Sequence, residues 1–136
     1  MIPDFGNDGY LPARLHPATR EEIEERFGTE PELRRVQMQS IRWLLDLARR
    51  AGVERIVLNG SFVTDAYEPN DVDCALLIVE DFPRDADAAK ALADGLPFLD
   101  IALLEVEDFE RVVGEFFASD RNLVPKGMVE IVQWQN

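Results

Sequence analysis

The chain has 136 residues, 46% of them apolar, so it is expected to form one domain able to bury roughly two-thirds of the surface its unfolded form exposes. Fourteen basic against 27 acidic residues leave a net charge of −13. That balance argues against sequence-independent binding of nucleic acid and suits a metal-dependent site or a basic protein partner, although acid excess can also simply aid solubility. No apolar stretch approaches the roughly 18 residues of a membrane span, and the N-terminus, with Asp4 and Asp8, lacks the basic segment of a signal peptide.

Residues 1–18 are rich in Pro, Gly and Asn and predict an extended arm, pinned to the body by Phe5, Tyr10 and Leu11. Thr19 followed by Glu22 forms a capping box for a short helix ending near Phe27 and Gly28. Thr29 with Glu32 repeats that signature, with Pro31 in the first turn of a long helix. Its apolar spacing runs through Leu33, Val36, Ile41, Leu44, Leu45 and Ala48, and Gly52 closes it. Arg34, Arg35, Arg42, Arg49 and Arg50 read as its wet face.

A strand over 54–58 follows, then a turn or short helix over 61–67, a loop at Glu68-Pro69-Asn70, and a strand over 72–79. A turn around Pro83 leads to an Ala-rich helix over 85–94, capped by Gly95. Residues 99–106 predict a third strand, 108–118 a helix bearing Phe109, Val112, Val113, Phe116 and Phe117, 119–127 a polar loop, and 128–132 a last short strand. No repeat or linker divides the chain, so 1–136 is expected to be a single domain. The one cysteine, Cys74, excludes an internal disulfide and a Cys-based zinc site; it reads as a small buried residue and suits a reducing cytoplasm.

The segment Leu58-Asn-Gly-Ser-Phe-Val-Thr-Asp-Ala-Tyr-Glu-Pro-Asn-Asp-Val-Asp73 carries the chemistry. Asp71 and Asp73, at i and i+2 of an extended strand, point to one face. Two carboxylates near 4 Å repel by about 4 kcal/mol at an effective dielectric of 20, so a cation between them, or full solvation in a loop, is required. Magnesium suits such hard oxygen ligands and retains waters for an incoming phosphate. Asp100 is the only charge between Asp94 and Glu105 and sits early in an apolar strand, where it either completes a one- or two-metal site or caps the sheet edge.

Gly60 and Ser61 form the turn before that strand. Glycine permits close backbone approach, and Ser61 offers a hydroxyl and an N–H to a phosphate. Thr64 offers a second hydroxyl or makes a local backbone bond. Asn59 orients the loop or satisfies it. His16, the sole histidine, has no nucleophile context and reads as a surface or hydrogen-bonded structural side chain. Lys126 reaches a triphosphate or is an ordinary solvated lysine.

At Gly60-Ser61, Asp71-Val72-Asp73 and Asp100 the sequence resembles the polymerase-beta-type nucleotidyltransferase superfamily, above all its minimal nucleotidyltransferases, over roughly residues 54–105. A narrower resemblance spans most of the chain. Ile-Pro-Asp-Phe, Glu-Glu-Arg-Phe-Gly-Thr, Asn-Gly-Ser-Phe-Val-Thr and Pro-Lys-Gly-Met-Val-Glu-Ile look like a family of small bacterial and phage proteins described only as nucleotidyltransferase-like. The resemblance implies an α+β fold, a small mixed sheet flanked by helices. It also implies two magnesium ions on Asp71, Asp73 and Asp100, and nucleotide phosphates at Gly60, Ser61 and Thr64. The expected activity is transfer of a nucleoside monophosphate from a nucleoside triphosphate to a hydroxyl of a small molecule, an RNA end or a protein.

Two features depart from the family pattern. Val63-Thr64-Asp65 replaces the usual Ala-Arg-Gly, with Asp65 bringing negative charge toward the phosphates, and no helical substrate-binding domain is expected within these 136 residues. Substrate would then be held by the arm, a second subunit or a partner. The alternative is a binding module that keeps the fold and holds a basic, toxin-like protein, as an antitoxin does.

Overall fold

The computed structural model describes residues 1–135. Five strands form one mixed sheet: β1 (Leu15–Ala18), β2 (Arg55–Asn59), β3 (Val72–Leu77), β4 (Leu99–Leu104) and β5 (Met128–Ile131), in the spatial order β1-β5-β2-β3-β4. The outer pairs β1–β5 and β3–β4 are parallel, and β5–β2 and β2–β3 are antiparallel. Four α-helices, α1 (Arg20–Phe27), α2 (Glu32–Ala51), α3 (Ala86–Asp94) and α4 (Val106–Arg111), accompany the sheet, giving the α+β fold expected. Among the described residues no helix is long and apolar enough to cross a membrane.

Strand alternation divides the core between two faces. Ile56, Leu58, Cys74, Leu76, Val129 and Ile131 point to one face and meet Met38, Ile41, Leu44 and Ala48 of α2 and Ala88 and Leu92 of α3. Each fully buried aliphatic side chain there contributes about 1.5–3 kcal/mol. Val57, Ala75, Leu77 and Met128 point to the other face, covered more thinly by Phe109, Val112, Val113 and Phe117. Cys74 is buried as expected.

The Thr19–Glu22 capping box forms: the Thr19 hydroxyl accepts from the Glu22 N–H at 3.2 Å, and the Glu22 carboxylate accepts from the Thr19 N–H at 2.9 Å. The second box does not form. Glu32 is the first helical residue rather than the third, and Pro31 occupies the cap position without a side-chain bond. The arm is more structured than expected. Leu15–Ala18 is a parallel edge strand against β5, with a partner more than a hundred residues away and no alternation to announce it. Ile2 and Leu11 are buried, and Arg26 donates to the Ile2 and Pro3 carbonyls while lying 4.5 Å from the Phe5 ring centroid. The helix expected at 108–118 begins at Val106 and, after Arg111, widens into a π-type turn over Val112–Phe116 around Gly114.

The largest departure is in α2. Val36 points outward, and Arg34 and Gln37, the former expected on the wet face, are buried. The Arg34 guanidinium donates to the carbonyls of Phe27 at 3.2 Å, Phe62 at 2.7 Å and Thr64 at 2.9 Å, and to that of Ala66. Gln37 Nε2 donates to the Pro69 carbonyl at 2.8 Å. The first turns of α2 therefore face a loop whose inward carbonyls need donors, and polar side chains supply them. Because each carbonyl left unpaired costs about 1–3 kcal/mol, Arg34→Met is expected to lower unfolding free energy by more than about 3 kcal/mol in urea denaturation. Arg34→Lys, which lacks the planar fork, should restore less than half of that loss.

Candidate functional site

The turn after β2 brings the acidic residues together. Gly60 has φ +89° and ψ −176°, a region closed to other residues, and a Cβ built there would lie 2.8 Å from the Asp71 carbonyl oxygen. The glycine thus lets the chain ahead of β3 lie directly against the turn. Ser61 then binds Asp71: its N–H and its hydroxyl donate to Asp71 Oδ1 at 3.0 and 2.6 Å. The same hydroxyl accepts from the N–H groups of Asn70 at 2.8 Å and Asp71 at 3.2 Å. The Ser61 groups expected to face a phosphate are thus committed to Asp71. Thr64 makes the local bond, its hydroxyl donating to the Ser61 carbonyl at 2.6 Å.

The acids follow from register. Asn59 on β2 is opposite Asp73 on β3, and Asp73 is opposite Asp100 on β4, so the three side chains form a row across three strands on the thinly covered face. Asp71, two residues before Asp73 and just ahead of β3, lies beside the middle of that row. Asp100 is exposed on the outermost strand, and among the described residues no three His, Cys, Asp or Glu side chains close around a point as a ready-made metal shell. One end of the arrangement is electron-rich and unpartnered. Asn59 Oδ1 is fully buried, with no hydrogen-bond donor. A hard cation with all-oxygen ligands fits that orphaned acceptor and the facing carboxylates.

A cleft of about 520 Å³ opens over the Asn59–Asp73 part of the row, lined on one side by Asn59, Gly60, Ser61, Thr64, Asp71 and Asp73; Asp100 is not among its lining residues. Tyr10 and residues of the 116–126 segment form the other wall, and its cations are Arg121 and Lys126. This wall is built rather than slack. Asp120 Oδ1 accepts from the N–H groups of Asn122 and Val124 at 2.8 and 3.0 Å, and Asp120 Oδ2 accepts from the Tyr10 hydroxyl at 2.7 Å. Gly127 packs against the arm so closely that a Cβ would lie 2.3 Å from the Pro12 carbonyl oxygen. His16 is buried nearby, its Nε2 2.7 Å from that same oxygen, the structural role expected of it. Asp65 is absent from the lining: its carboxylate lies against Gly9 and its N–H donates to the Gly9 carbonyl at 3.0 Å. Its charge is turned toward the arm, away from where phosphates were expected.

The two central acids respond in opposite ways to this setting. Burial pushes Asp73 up, and the charges of Asp71 and Asp100 add to it, bringing it to about 6. Burial also pushes Asp71 up, but the Ser61 hydroxyl and amide, with help from Asp73 and Lys126, hold it below the ordinary carboxylate range. Sequence reasoning found the acids and the turn. It named the arm among the holders of substrate and Lys126 as a residue that reaches a triphosphate or is solvated, but it did not join Tyr10 and the 116–126 segment into one wall, for which Tyr10 and Asp120 offer no local pattern.

Residues 3–132 match the model of a family of unknown function, DUF6932, and the chain belongs to that family. No curated protein and no solved structure matches it.

The raised Asp73 has a thermodynamic consequence. Between the ordinary carboxyl range near pH 4 and about pH 6 the folded chain keeps a proton that the unfolded chain has released. The contribution of Asp73 to stability is therefore complete below that window and is lost as pH rises through about 6. In metal-free buffer, Asp73→Asn is expected to melt higher than wild type at about pH 7.5, with the gap narrowing toward about pH 4.5. A gap that stays constant across this range by differential scanning fluorimetry would show that Asp73 is not perturbed by its neighbours.

Proposed function

We propose that the chain is a magnesium-dependent nucleotidyltransferase-like protein that moves a nucleoside monophosphate from a nucleoside triphosphate to an acceptor hydroxyl. The single observation that carries this reading is the row Asn59–Asp73–Asp100, with Asp71 beside its middle member and an orphaned amide oxygen inside it, the Asn59–Asp73 part lying beneath a cleft whose far wall holds the cations. Asp71, Asp73 and Asp100 would hold magnesium, with Asn59 Oδ1 beside them. The ions, when bound, supply neutralisation of phosphate charge and a lowered hydroxyl pKa.

The residues of the chain divide the remaining work. Ser61 is a positioning residue that fixes the Asp71 carboxylate, and Gly60 lets the two come together. With the Ser61 N–H taken, the phosphates rest against Lys126 and Arg121, drawn by charge across the cleft. Asp100, exposed on the strand nearest solvent, accepts the proton of the acceptor hydroxyl as that oxygen attacks the α-phosphorus and pyrophosphate leaves. Tyr10 and Asp120 hold the basic wall at its distance from the acids.

One observation favours a second reading. The occupation of the Ser61 amide and hydroxyl by Asp71 resembles a site closed to phosphate, as in a module that uses its acidic surface to hold a basic protein. Calorimetric titration with Mg-ATP and Mg-CTP separates the two. The transferase reading expects saturable heat that disappears in Asp71→Asn, and an affinity about tenfold lower in Lys126→Ala, equivalent to about 1.4 kcal/mol. Silence toward every nucleotide at millimolar concentration leaves only the binding module.

A further inference from the structure

The two edges of the sheet are not alike. β1 is four residues long and includes Pro17, which has no N–H to offer another strand, so that edge is blunted. β4 is six residues long, without Lys, Pro or bulge, and has β3 as its only neighbour in the sheet. Leu104 directs its carbonyl inward, accepting from the Ile78 N–H at 2.9 Å. By strand alternation the N–H and C=O groups of Ile101 and Leu103 point outward, and they make no other hydrogen bond among the described residues. Phe98, just before the strand, and Val106, just after it, are 53% and 49% exposed and mark the two ends of an open apolar edge.

Charge says what this edge accepts. From Asp94 to Glu110 there are six acidic residues, Asp94, Asp100, Glu105, Glu107, Asp108 and Glu110, and no Lys or Arg. Among the described residues only Asp94 and Asp108 of these six form ion pairs, with Lys90 and Arg111. A second copy of this chain added edge to edge would set these acids against their own kind, and like charges facing each other across strands are destabilising. We propose that β4 is a docking edge for an extended, basic segment of a partner protein. The segment adds a sixth strand through the free groups of Ile101 and Leu103, seats apolar side chains near Phe98 and Val106, and places Lys or Arg against Glu105 and Glu107. This inference does not depend on nucleotide binding at the neighbouring cleft.

The test uses the whole chain, labelled with nitrogen-15, and a synthetic peptide of alternating Lys and Val. Amide exchange at Ile101 and Leu103 is expected to slow on adding the peptide, and binding should weaken as salt rises. The same peptide N-methylated at alternate residues, and a Glu–Val counterpart, should leave both amides unchanged. Glu105→Lys with Glu107→Lys alters only exposed side chains and should lower the affinity at least about tenfold while the spectrum stays folded. Shifts centred on Asp71 and Asp73 rather than β4, equal binding of the N-methylated peptide, or protection of Ile101 and Leu103 in the unliganded chain through self-association would each overturn the proposal.

Discussion

Arg34 reaches from the first turns of α2 into the space behind the Gly60 turn, where four backbone carbonyls converge without donors of their own. One guanidinium serves Phe27, Phe62, Thr64 and Ala66, and lies 5.4 Å from the Phe62 ring centroid. Gln37, one turn further along the helix, serves Pro69. Between them they fix both halves of the loop that joins β2 to β3. A loop crossing the end of a sheet would otherwise need water at each carbonyl or would splay into solvent. With its back held, the loop can turn Ser61 forward to take hold of Asp71, and the carboxylates stay close despite their repulsion.

The cleft is therefore the product of opposed constraints. Strand register sets Asn59, Asp73 and Asp100 in line, a placement the backbone ladders enforce whatever the side chains prefer. Burial and mutual charge make that line costly, visible in the upward shift of Asp73. The Ser61 contacts relieve Asp71, and Lys126 acts on both acids from across the cleft. Local strain of this kind, maintained by a rigid surround, is a feature of functional sites more than of packing. It is consistent with the transferase reading and equally explains why a cation would be welcome.

Much of the site was legible because its determinants are local. The i and i+2 spacing of Asp71 and Asp73, the Gly-Ser turn at the end of an apolar run, and an isolated acid in the next apolar strand all lie within about one element of the groups they act on. The capping box at Thr19 and the stop at Gly52 were legible for the same reason. What failed was every inference that needed to know what lies opposite. Arg34 shares the helical spacing of Ile41 and Ala48, but its charge reads as solvent-facing and the sequence does not say that carbonyls await it. Thr29 and Glu32 match a capping pattern but fall two positions out of phase with the helix that forms. Leu15–Ala18 becomes a strand only because β5 lies beside it.

Composition and short-range pattern thus determined the elements of the α+β fold, the acidic pair, the glycine turn and the negative charge that bears on partners. These depend on backbone geometry over a few residues, which sequence encodes directly. Tertiary structure alone decided that Asp73 faces Asp100, that Asp65 turns to the arm, that Tyr10 and Asp120 raise a second wall carrying Lys126, and that β4 remains an open edge beside unpaired acids. Each of these is set by which segments become neighbours in the sheet, a choice made by the sum of many weak contacts over the whole chain and written at no single position.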